Sequence, residues 1–455
     1  MYIKSLEIKN IRSISNFRME FPNPAGWHVI IGDNGAGKSS LIRSIALALL
    51  DISDINATAQ DWEEWLRFGE TQGSSELFIQ PYFEEKIVQN RVTFERGLKL
   101  ESPDSPNMVS NTFIREVIFR NIKSFDSTNI VTPNASIPSN FSPPPTPTPV
   151  SIQYQTEFDK NKWFSAGYGP FRRFSGGNQD KERIFKTNPN LGSLLSIFGE
   201  DIALTEALKY LKNQYVEELD AKSKGESVKP ILNNLIKFVN DSKLLPHGAL
   251  IDTVDSKGVF FKDGNGNKIN TLQMSDGYRS MLCMTFELLR QLIRNYGSDL
   301  VFQHIINGNN IIDLPGVVLI DEVDVHLHPT WQTSVGEWFT KYFPKIQFIV
   351  STHSPLVCRA CENGSIWRLA APGSKNKSEE IIGTDRDKLI TGNILDAYGT
   401  EIFGKSPVRS AKTDESLKLL GKLNMLSAFG KISDEQEQQR LKLQQTLPTG
   451  SLELK

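Results

Sequence analysis

Cysteine is scarce in this chain, and long apolar runs are absent. Three cysteines among 455 residues are too few for the disulfide framework that stabilises small secreted proteins. A helix that spans a bilayer needs about 18–20 consecutive apolar residues, and the sequence contains no such run. Residues 2–9 alternate polar and apolar side chains, as a half-buried strand does and a signal peptide does not. We therefore expect a cytoplasmic protein without a membrane partner.

A strong excess of charge of either sign is also absent. The 51 Lys and Arg residues nearly balance the 53 Asp and Glu residues, and the formal net charge is -2. Such a chain has no general electrostatic attraction to nucleic acid, so any contact of that kind would need a local basic patch. The length of 455 residues is enough for two or three folding units.

Proline is concentrated in one part of the chain. The stretch from Pro138 to Pro149 is rich in proline and cannot form a helix or a central strand. Its composition favours a disordered spacer, with a polyproline II segment that binds a partner as the alternative. We assign residues 101–150 to a Pro-rich insertion.

The strongest motif is the segment Gly32–Ser39, which reads GDNGAGKS and matches a phosphate-binding P-loop. A short apolar strand, 28–31, precedes it, and a buried helix, 41–50, follows it. The glycines let backbone N–H groups face the phosphates, and the helix N-terminus adds its positive end. Lys38 would reach the β- and γ-phosphates of ATP, and Ser39 would give Mg²⁺ a hydroxyl ligand. The residues predicted to bind the nucleotide here are Gly32, Asn34, Gly35, Ala36, Gly37, Lys38, Ser39 and Ser40.

A second motif, Gly316–Glu322, is an apolar strand that ends in two acids. Its run of apolar residues indicates a central parallel strand that is buried on both faces. Asp321 would lie at the carboxyl end of this strand, where open α/β sheets bind ligands, and would hold Mg²⁺ through water. Glu322 is the candidate catalytic base that polarises the attacking water. Two acids after a strand are weak evidence alone, but beside a P-loop they indicate nucleotide hydrolysis.

Two further segments complete the candidate site. Residues 351–355, STHSP, follow another apolar strand, and His353 is the candidate sensor of the γ-phosphate. Residues 274–279, MSDGYR, open a helix, and Ser275 and Gly277 there form a second anion-binding element. Each segment alone also fits an ordinary structural role, as a loop histidine or a helix N-cap. Their order along the chain favours the functional interpretation.

The order of these motifs along the chain resembles that in the heads of ABC-type ATPases. The P-loop is followed by the signature segment 274–279, the acid strand, Asp324 in a D-loop position and His353. The opening IKSLEIKNIRS, which contains Asn10 and Arg12, resembles the branch of SMC, RecF and OLD proteins. The resemblance implies that Asn10, Arg12 and Asp324 lie near the nucleotide. It also implies an α/β ABC-type ATPase head with a mixed β-sheet core that carries the P-loop, an antiparallel β layer, a helical lobe and a helical C-terminal region.

The same resemblance divides the chain into six parts. The spacing leaves room for a lobe and an insertion between the P-loop and the signature segment, but not for long SMC-type coiled-coil arms. The predicted parts are an N-terminal part of the head with the P-loop (1–100), the Pro-rich insertion (101–150), a head segment with a Q-loop-like region (151–190), a helical lobe (191–249), a C-terminal part of the head with the signature, Walker B strand and switch histidine (250–375), and a helical partner-docking region (376–455).

A narrower likeness rests on residues 164–174, 274–279 and 321–332. These segments resemble the ATPase subunits of Septu and retron-associated anti-phage defence systems of bacteria. The resemblance implies a sensor and scaffold that controls a separate HNH-type nuclease, with a retron reverse transcriptase or nucleic acid as a further partner. It also implies a head-to-tail homodimer, or a higher oligomer, with ATP and Mg²⁺ between the P-loop of one subunit and Ser275–Gly277 of the other.

The sequence departs from the ABC pattern at two places. Asp276 and Tyr278 replace the second glycine and the glutamine of the usual Leu-Ser-Gly-Gly-Gln signature, so we expect slow turnover. No glutamine marks a Q-loop, and Arg172 or Arg173 takes that place. Two alternative functions stay open, a RecF-like DNA-repair ATPase that binds DNA directly and a nucleotide-gated assembly module with little hydrolysis.

Overall fold

The computed structural model describes residues 1–58, 60–80, 87–102, 105–122, 153–154, 164–172, 184, 187–199, 205–227, 229–374, 377–392 and 411–446. The chain divides into two compact units, Met1–Gly392 and Asn393–Lys455. The larger unit combines two six-stranded sheets and a three-stranded sheet with helices. The α/β class expected from the sequence is therefore confirmed.

Strands occur throughout the larger unit, up to residue 380. In chain order they are β1 (Tyr2–Ile11), β2 (Ile14–Glu20), β3 (Gly26–Gly32), β4 (Gln72–Gln80), β5 (Ile87–Ser102), β6 (Ser105–Ile122), β7 (Gln153–Tyr154), β8 (Ser165–Tyr168), β9 (Leu250–Val254), β10 (Val259–Lys262), β11 (Lys268–Asn270), β12 (Gly316–Ile320), β13 (Ile346–Ser351), β14 (Gly364–Leu369) and β15 (Glu379–Glu380).

Helices occur in both units. In chain order they are α1 (Lys38–Ala48), α2 (Ile52–Ala57), α3 (Pro189–Leu194), α4 (Thr205–Lys224), α5 (Ile231–Asp241), α6 (Asp276–Tyr296), α7 (Ser298–Val301), α8 (Gln303–Ile306), α9 (Pro329–Tyr342), α10 (Gly383–Thr391), α11 (Ala411–Ala428) and α12 (Asp434–Thr446). Among the described residues, none of these helices is both long enough and apolar enough to cross a membrane.

The first six-stranded sheet is the antiparallel layer, in the order β2-β1-β4-β5-β6-β7. In β1, Ile3, Leu6 and Ile8 are fully buried, and a register shift between Ile3 and Ser5 keeps them on the same face. This burial follows the alternation of apolar and polar residues in the sequence. Leu6 lies opposite Leu77 of β4, so the two strands share one apolar face.

The second six-stranded sheet has the order β15-β14-β3-β13-β12-β8. All of its neighbouring pairs are parallel except β14–β15. Every residue of β3, β12 and β13 is buried, as expected for parallel strands that are covered on both faces. The carboxyl ends of β8, β12, β13 and β3 therefore meet at one edge, which is where a parallel sheet binds its ligand.

Helix α1 and a buried glutamine join the two six-stranded sheets. Helix α1 contacts strands of both sheets, and Ser75 of β4 donates its hydroxyl to the Ser44 carbonyl of α1 over 2.9 Å. The side chain of Gln347 in β13 accepts from the Ile3 N–H and donates to the Ile3 carbonyl, over 2.8 and 3.0 Å. These bonds satisfy a fully buried amide and fix the antiparallel layer against the parallel sheet.

The regions outside the core differ from the sequence expectation in two details. Strands β5 and β6 pair as a long hairpin that reaches residue 122, because the segment 105–122 is rich in β-branched and aromatic residues, which favour strands. The rest of the predicted insertion, 123–150, lies outside the described residues. The larger unit ends at Gly392, later than the expected boundary at 375. Helix α10 belongs to it, since Arg386 donates to the Cys361 carbonyl over 2.7 Å and Leu389 is buried.

Candidate nucleotide site

The P-loop connects β3 to α1. Because all of β3 is buried, the loop starts from a fixed point in the core. Gly35 and Gly37 have φ angles of 76° and 102°, which are unfavourable for residues with a side chain. A Cβ on Gly37 would lie 2.5 Å from Oγ of Ser13, whereas a Cβ on Gly35 would meet open space. Gly37 is therefore required both by its backbone conformation and by the close approach of the β1–β2 turn.

Lys38 is the first residue of α1 and is 6% exposed. Its Nζ donates to the carbonyl oxygens of Gly32 and Asp33, over 2.8 and 3.1 Å. Burial lowers the pKa of Lys38, and the negative charges of Glu322 and Asp321 oppose this effect. The P-loop lysine and the two acids after β12 thus lie within electrostatic reach of one another.

The other predicted P-loop residues differ in exposure. Asn34 and Gly35 are exposed at the tip of the loop, and Ser39 is partly exposed at the start of α1. Ala36 and Ser40 are buried. The open tip and the Ser39 hydroxyl are accessible to a ligand, whereas Ala36 and Ser40 pack the loop against the core.

The two acids after β12 are held by a serine from the neighbouring strand. Asp321 is buried, and its Oδ1 accepts a hydrogen bond from Oγ of Ser351. The same Oγ accepts the backbone N–H of Glu322 over 2.8 Å. Glu322 has a φ angle of 49°, a left-handed conformation that is uncommon for a residue with a side chain. Burial, followed by the charge of Asp321, raises the pKa of Glu322, and His353 opposes the shift.

Asp324 links the acid loop to the histidine loop. Its Oδ1 accepts a hydrogen bond from Oγ1 of Thr352 over 2.6 Å and a longer one from the His353 N–H over 3.3 Å. Thr352 is fully buried, whereas the His353 side chain is exposed. Asp324 therefore fixes the backbone from which His353 projects.

Arg172 is the described candidate for the Q-loop place, since Arg173 lies outside the described residues. Arg172 is 4% exposed. Its guanidinium donates to the carbonyl oxygens of Gly169, Asp321 and Glu322, over 3.0, 2.9 and 2.9 Å. The side chain is therefore engaged by the backbone of the acid loop, a contact that the sequence did not indicate.

The signature segment begins helix α6. Ser275 is the N-cap residue, with φ and ψ of -63° and 157°, and its side chain makes no capping bond to the helix. Ser275 is exposed and Gly277 is partly exposed. A Cβ on Gly277 would lie 2.8 Å from the His326 carbonyl oxygen. The glycine therefore allows α6 to approach the loop that follows the acids.

The two atypical signature residues have partners within the chain. Asp276 forms an ion pair with Arg279 in the same helical turn. The Tyr278 ring packs against Trp331 of α9, with ring centroids 5.4 Å apart. These contacts give Asp276 and Tyr278 local structural roles beside Ser275.

Asn10 lies near the end of β1 and Arg12 lies in the turn that leads to β2. Both residues have positive φ angles, 52° and 49°. The Asn10 side chain donates to Glu70 and to the Gln72 carbonyl, each over 3.2 Å. The Arg12 guanidinium lies over the Trp65 ring, 4.9 Å from its centroid. Burial lowers the pKa of Arg12, and the positive charge of Arg43 on α1 adds to this effect.

This turn is placed against the P-loop by the contact between Ser13 and Gly37. Arg12 therefore lies close to the P-loop helix, consistent with its predicted place near the nucleotide. Asn10 is held through its side chain by the segment before β4, and its expected role at the nucleotide stays a prediction.

The fold thus brings most of the predicted residues to one edge of the parallel sheet. The P-loop follows β3, the acid loop follows β12, and His353 follows β13. Sequence reasoning missed Ser351 and Thr352 as positioning residues, although both belong to the quoted STHSP segment. The sequence signal that could have identified them is a pair of hydroxyl residues at the end of β13, the strand beside the acid strand β12.

The described residues at this edge do not form a metal site from protein ligands alone. Among the described residues, no group of three or more His, Cys, Asp and Glu side chains could hold a metal ion. Magnesium at phosphate sites needs no such group, because one or two protein oxygens, the phosphates and water complete its shell. The hydroxyl of Ser39 and the carboxylate of Asp321 are the candidate oxygen ligands of that kind.

Comparison with known proteins extends these observations. The chain is 23% identical to the Septu protein PtuA of Bacillus mycoides (strain KBAB4), over 96% of this chain and 52% of that protein. It is also 23% identical to the Retron Ec83 probable ATPase of Escherichia coli, over 81% of this chain and 71% of that protein. The chain therefore spans about half the length of the first relative. The resemblance to Septu and retron ATPases is confirmed.

A solved SMC head bound to the C-winged helix domain of ScpA aligns with 85% of this chain and 99% of its own, at 15% identity and a TM-score of 0.42. Residues 28–359 match the model of the family described as "AAA domain, putative AbiEii toxin, Type IV TA system". Because this match covers more than half of the 455 residues, the chain belongs to this AAA-domain family and is an ATPase.

Proposed function

We propose that the chain binds Mg²⁺ and ATP at the edge formed by the P-loop, the acid loop and His353, and that Glu322 is the catalytic base. The observation that carries this proposal is the placement of charged residues at one edge of the parallel sheet, where Lys38 follows β3 and the acids Asp321, Glu322 and Asp324 follow β12. Burial lowers the pKa of Lys38, and these three acids oppose that shift. One lysine and three carboxylates at the end of a parallel sheet are the charges that a Mg²⁺-triphosphate site requires.

Each residue has a distinct part in this proposal. Lys38 and the N-terminus of α1 would bind the phosphates, and Ser39 and Asp321 would hold Mg²⁺, which would stabilise negative charge on the γ-phosphoryl oxygens. Glu322 orients water and accepts its proton. The pKa of Glu322 is raised towards neutral pH, and a general base is most effective when its pKa lies near the working pH. His353, exposed beside Glu322, contacts the γ-phosphate.

The second half of the proposed site comes from another copy of the chain. Ser275 and Gly277 are accessible at the start of a 21-residue helix, whose N-terminal end favours anions. In a head-to-tail homodimer each ATP would contact Lys38 of one subunit and Ser275 of the other. The nucleotide then stabilises the closed dimer because only that state provides both sets of contacts. The replacement of the second glycine and the glutamine of the usual signature by Asp276 and Tyr278 supports slow turnover.

ATP-dependent dimerisation tests this arrangement. Glu322→Gln protein, which should retain ATP, is measured by light scattering with and without Mg²⁺-ATP. We expect dimers only with nucleotide, and we expect Ser275→Arg to prevent them. Ser256→Arg, the same change at an exposed turn, is the matched control and should dimerise normally. Dimerisation of the Ser275→Arg protein would contradict the proposed interface.

We further propose that the ATPase is a subunit of an anti-phage defence system, as the names of its relatives suggest. Its partner would be an HNH-type nuclease that docks on the region 376–455. The helical pair α11–α12 supports this placement, because Met425 and Phe429 are 63% and 72% exposed there. Exposed large apolar side chains on neighbouring turns are typical of interaction surfaces.

A binding experiment tests the docking region. The chain is co-expressed and co-purified with a candidate HNH-type nuclease, and the double variant Met425→Asp/Phe429→Asp should lose the nuclease. Phe68→Asp is the control, since Phe68 is a 98% exposed phenylalanine of the larger unit. Unchanged nuclease binding by the double variant would place the docking surface elsewhere. Recovery of a reverse transcriptase instead would identify a retron-type partner.

A further inference from the structure

Arg172 joins two elements of the proposed site. Its Nε donates to Oγ of Ser280 over 3.1 Å, and Ser280 lies in the second turn of the signature helix α6. Its two terminal nitrogens donate to the carbonyl oxygens of Asp321, Glu322 and Val323, over 2.9, 2.9 and 3.4 Å. A single guanidinium therefore connects the signature helix to three consecutive residues of the acid loop.

The middle residue of that loop is Glu322, whose backbone is fixed from both sides. Its φ angle of 49° is left-handed, a conformation that a glutamate does not retain without support from its surroundings. The N–H donates to Oγ of Ser351, and the carbonyl accepts from Arg172. The direction of the Glu322 side chain follows from this backbone conformation, so it depends on both contacts.

The chemistry of Arg172 suits this role. Its five N–H donors point in fixed directions within one plane, so it can bond several carbonyls at once, which a lysine ammonium cannot do with the same geometry. The side chain is 4% exposed, and burial lowers its pKa to about 10 while the charges of Asp321 and Asp324 oppose that shift. Burial of a cation costs free energy. The contacts of Arg172 indicate that it supports the backbone of the acid loop.

We propose that Arg172 is a positioning residue for ATP hydrolysis: it holds Glu322 in its left-handed conformation and couples that conformation to the signature helix through Ser280. This inference rests on the proposed role of Glu322. Binding of a second subunit's nucleotide to Ser275–Gly277 would restrict the motion of α6. The hydrogen bond between Ser280 and Arg172 would transmit this restriction to the acid loop. Hydrolysis would then be fastest in the closed dimer, while ATP binding at the P-loop would not depend on the link.

The test compares two buried hydroxyls on the same helix. Ser280→Ala removes the acceptor of Arg172 and leaves the rest of α6 unchanged. Thr285→Val is the matched control, because Thr285 is also fully buried and its hydroxyl has no hydrogen-bond partner among the described residues. Phosphate release is measured over a range of protein concentrations, together with ATP affinity and the melting temperature. Glu322→Gln is measured in the same series, and Arg172→Lys is added as a second variant on the other side of the link.

We expect Ser280→Ala to lower the turnover number, measured at the plateau reached at high protein concentration, at least fivefold, because a hydrogen bond to a charged group is lost. The ATP affinity and the protein concentration at the dimerisation midpoint should stay within about twofold of the wild-type values. Arg172→Lys should lower the plateau further. A normal plateau for Ser280→Ala would overturn the inference. An equal loss in Thr285→Val, or a loss of ATP affinity in proportion to turnover, would also overturn it by indicating general damage to the core. Undiminished turnover by Glu322→Gln would instead refute the proposed base.

Discussion

Oγ1 of Thr352 donates a hydrogen bond of 2.6 Å to Oδ1 of Asp324. Thr352 immediately precedes His353, the proposed switch histidine, and Asp324 follows the proposed base Glu322 by two residues. The bond therefore sets the distance between the loop after β13 and the loop after β12. Its position suggests that Asp324 aligns the histidine within its own subunit, in addition to the contact with nucleotide expected from the D-loop position.

Removal of this bond should slow hydrolysis more than it weakens ATP binding. Thr352→Val keeps the shape of the side chain but removes the donor, which leaves a carboxylate without one of its bonds. We expect a loss of about tenfold in turnover, equivalent to ~1.4 kcal/mol, with ATP affinity nearly unchanged. Steady-state phosphate release and equilibrium nucleotide binding measure the two effects. Thr333→Val on α9 is the control, and an equal effect of both variants would argue against a specific role for the bond.

The two P-loop glycines should differ in their tolerance of alanine. Gly37→Ala introduces a Cβ that would lie 2.5 Å from Oγ of Ser13, whereas Gly35→Ala introduces one into open space. Both have positive φ angles, so each substitution costs on the order of 1–2 kcal/mol in backbone strain. We expect Gly37→Ala to lose ATP binding, because the β1–β2 turn and the loop must move apart. We expect Gly35→Ala to keep measurable binding. Titration with a fluorescent ATP analogue compares them, and equal affinities would contradict the steric argument.

Replacement of Glu322 by glutamine should stabilise the ligand-free protein in a pH-dependent manner. The pKa of Glu322 is raised on folding, chiefly by burial, so the folded state binds its proton more tightly than the unfolded state. The ionised form therefore costs stability, and this cost grows as the pH rises from the unfolded pKa to the folded pKa. We expect Glu322→Gln to melt at a higher temperature than the wild type at pH 8, by a few degrees at most.

The difference in melting temperature should shrink as the pH is lowered below the raised pKa, where the wild-type carboxyl is already neutral. Thermal unfolding of both proteins from pH 8 to about pH 4, just below the ordinary pKa of glutamate, without nucleotide, provides the measurement. Glu337→Gln is the control, because Glu337 is exposed on α9. A constant difference at all pH values would show that the ionisation of Glu322 is not its cause.

Much of the fold and of the candidate site could be predicted because the motifs are local. The P-loop, the two acids and the histidine each follow directly after an apolar strand, and parallel strands place their carboxyl ends together. The residues that position them were harder to identify. The bond from Arg172 to the Asp321 carbonyl spans 149 positions in sequence, and no local pattern encodes it. Its acceptors are backbone carbonyls, which every residue has.

The hairpin β5–β6 shows a second limit of sequence reasoning. The proline-rich composition indicated an insertion over residues 101–150, but Ser105–Ile122 pairs with Ile87–Ser102 as an antiparallel ladder, with register shifts at Thr93/Phe94 and at Leu100/Ser102. Proline excludes a central strand only at its own position, because it removes one backbone donor and restricts one φ angle. Pro106 lies at the second position of β6, and the residues that follow it continue the strand.

The most direct test of the proposed mechanism is Mg²⁺-dependent phosphate release by the wild type, Glu322→Gln and Glu337→Gln proteins at saturating ATP. Equilibrium binding confirms that each protein is loaded with nucleotide. With Glu322 as the base, the Glu322→Gln protein should bind ATP normally and release phosphate at least about a hundredfold more slowly, while Glu337→Gln should match the wild type. Equal turnover by the Glu322→Gln and wild-type proteins would show that Glu322 is not the base.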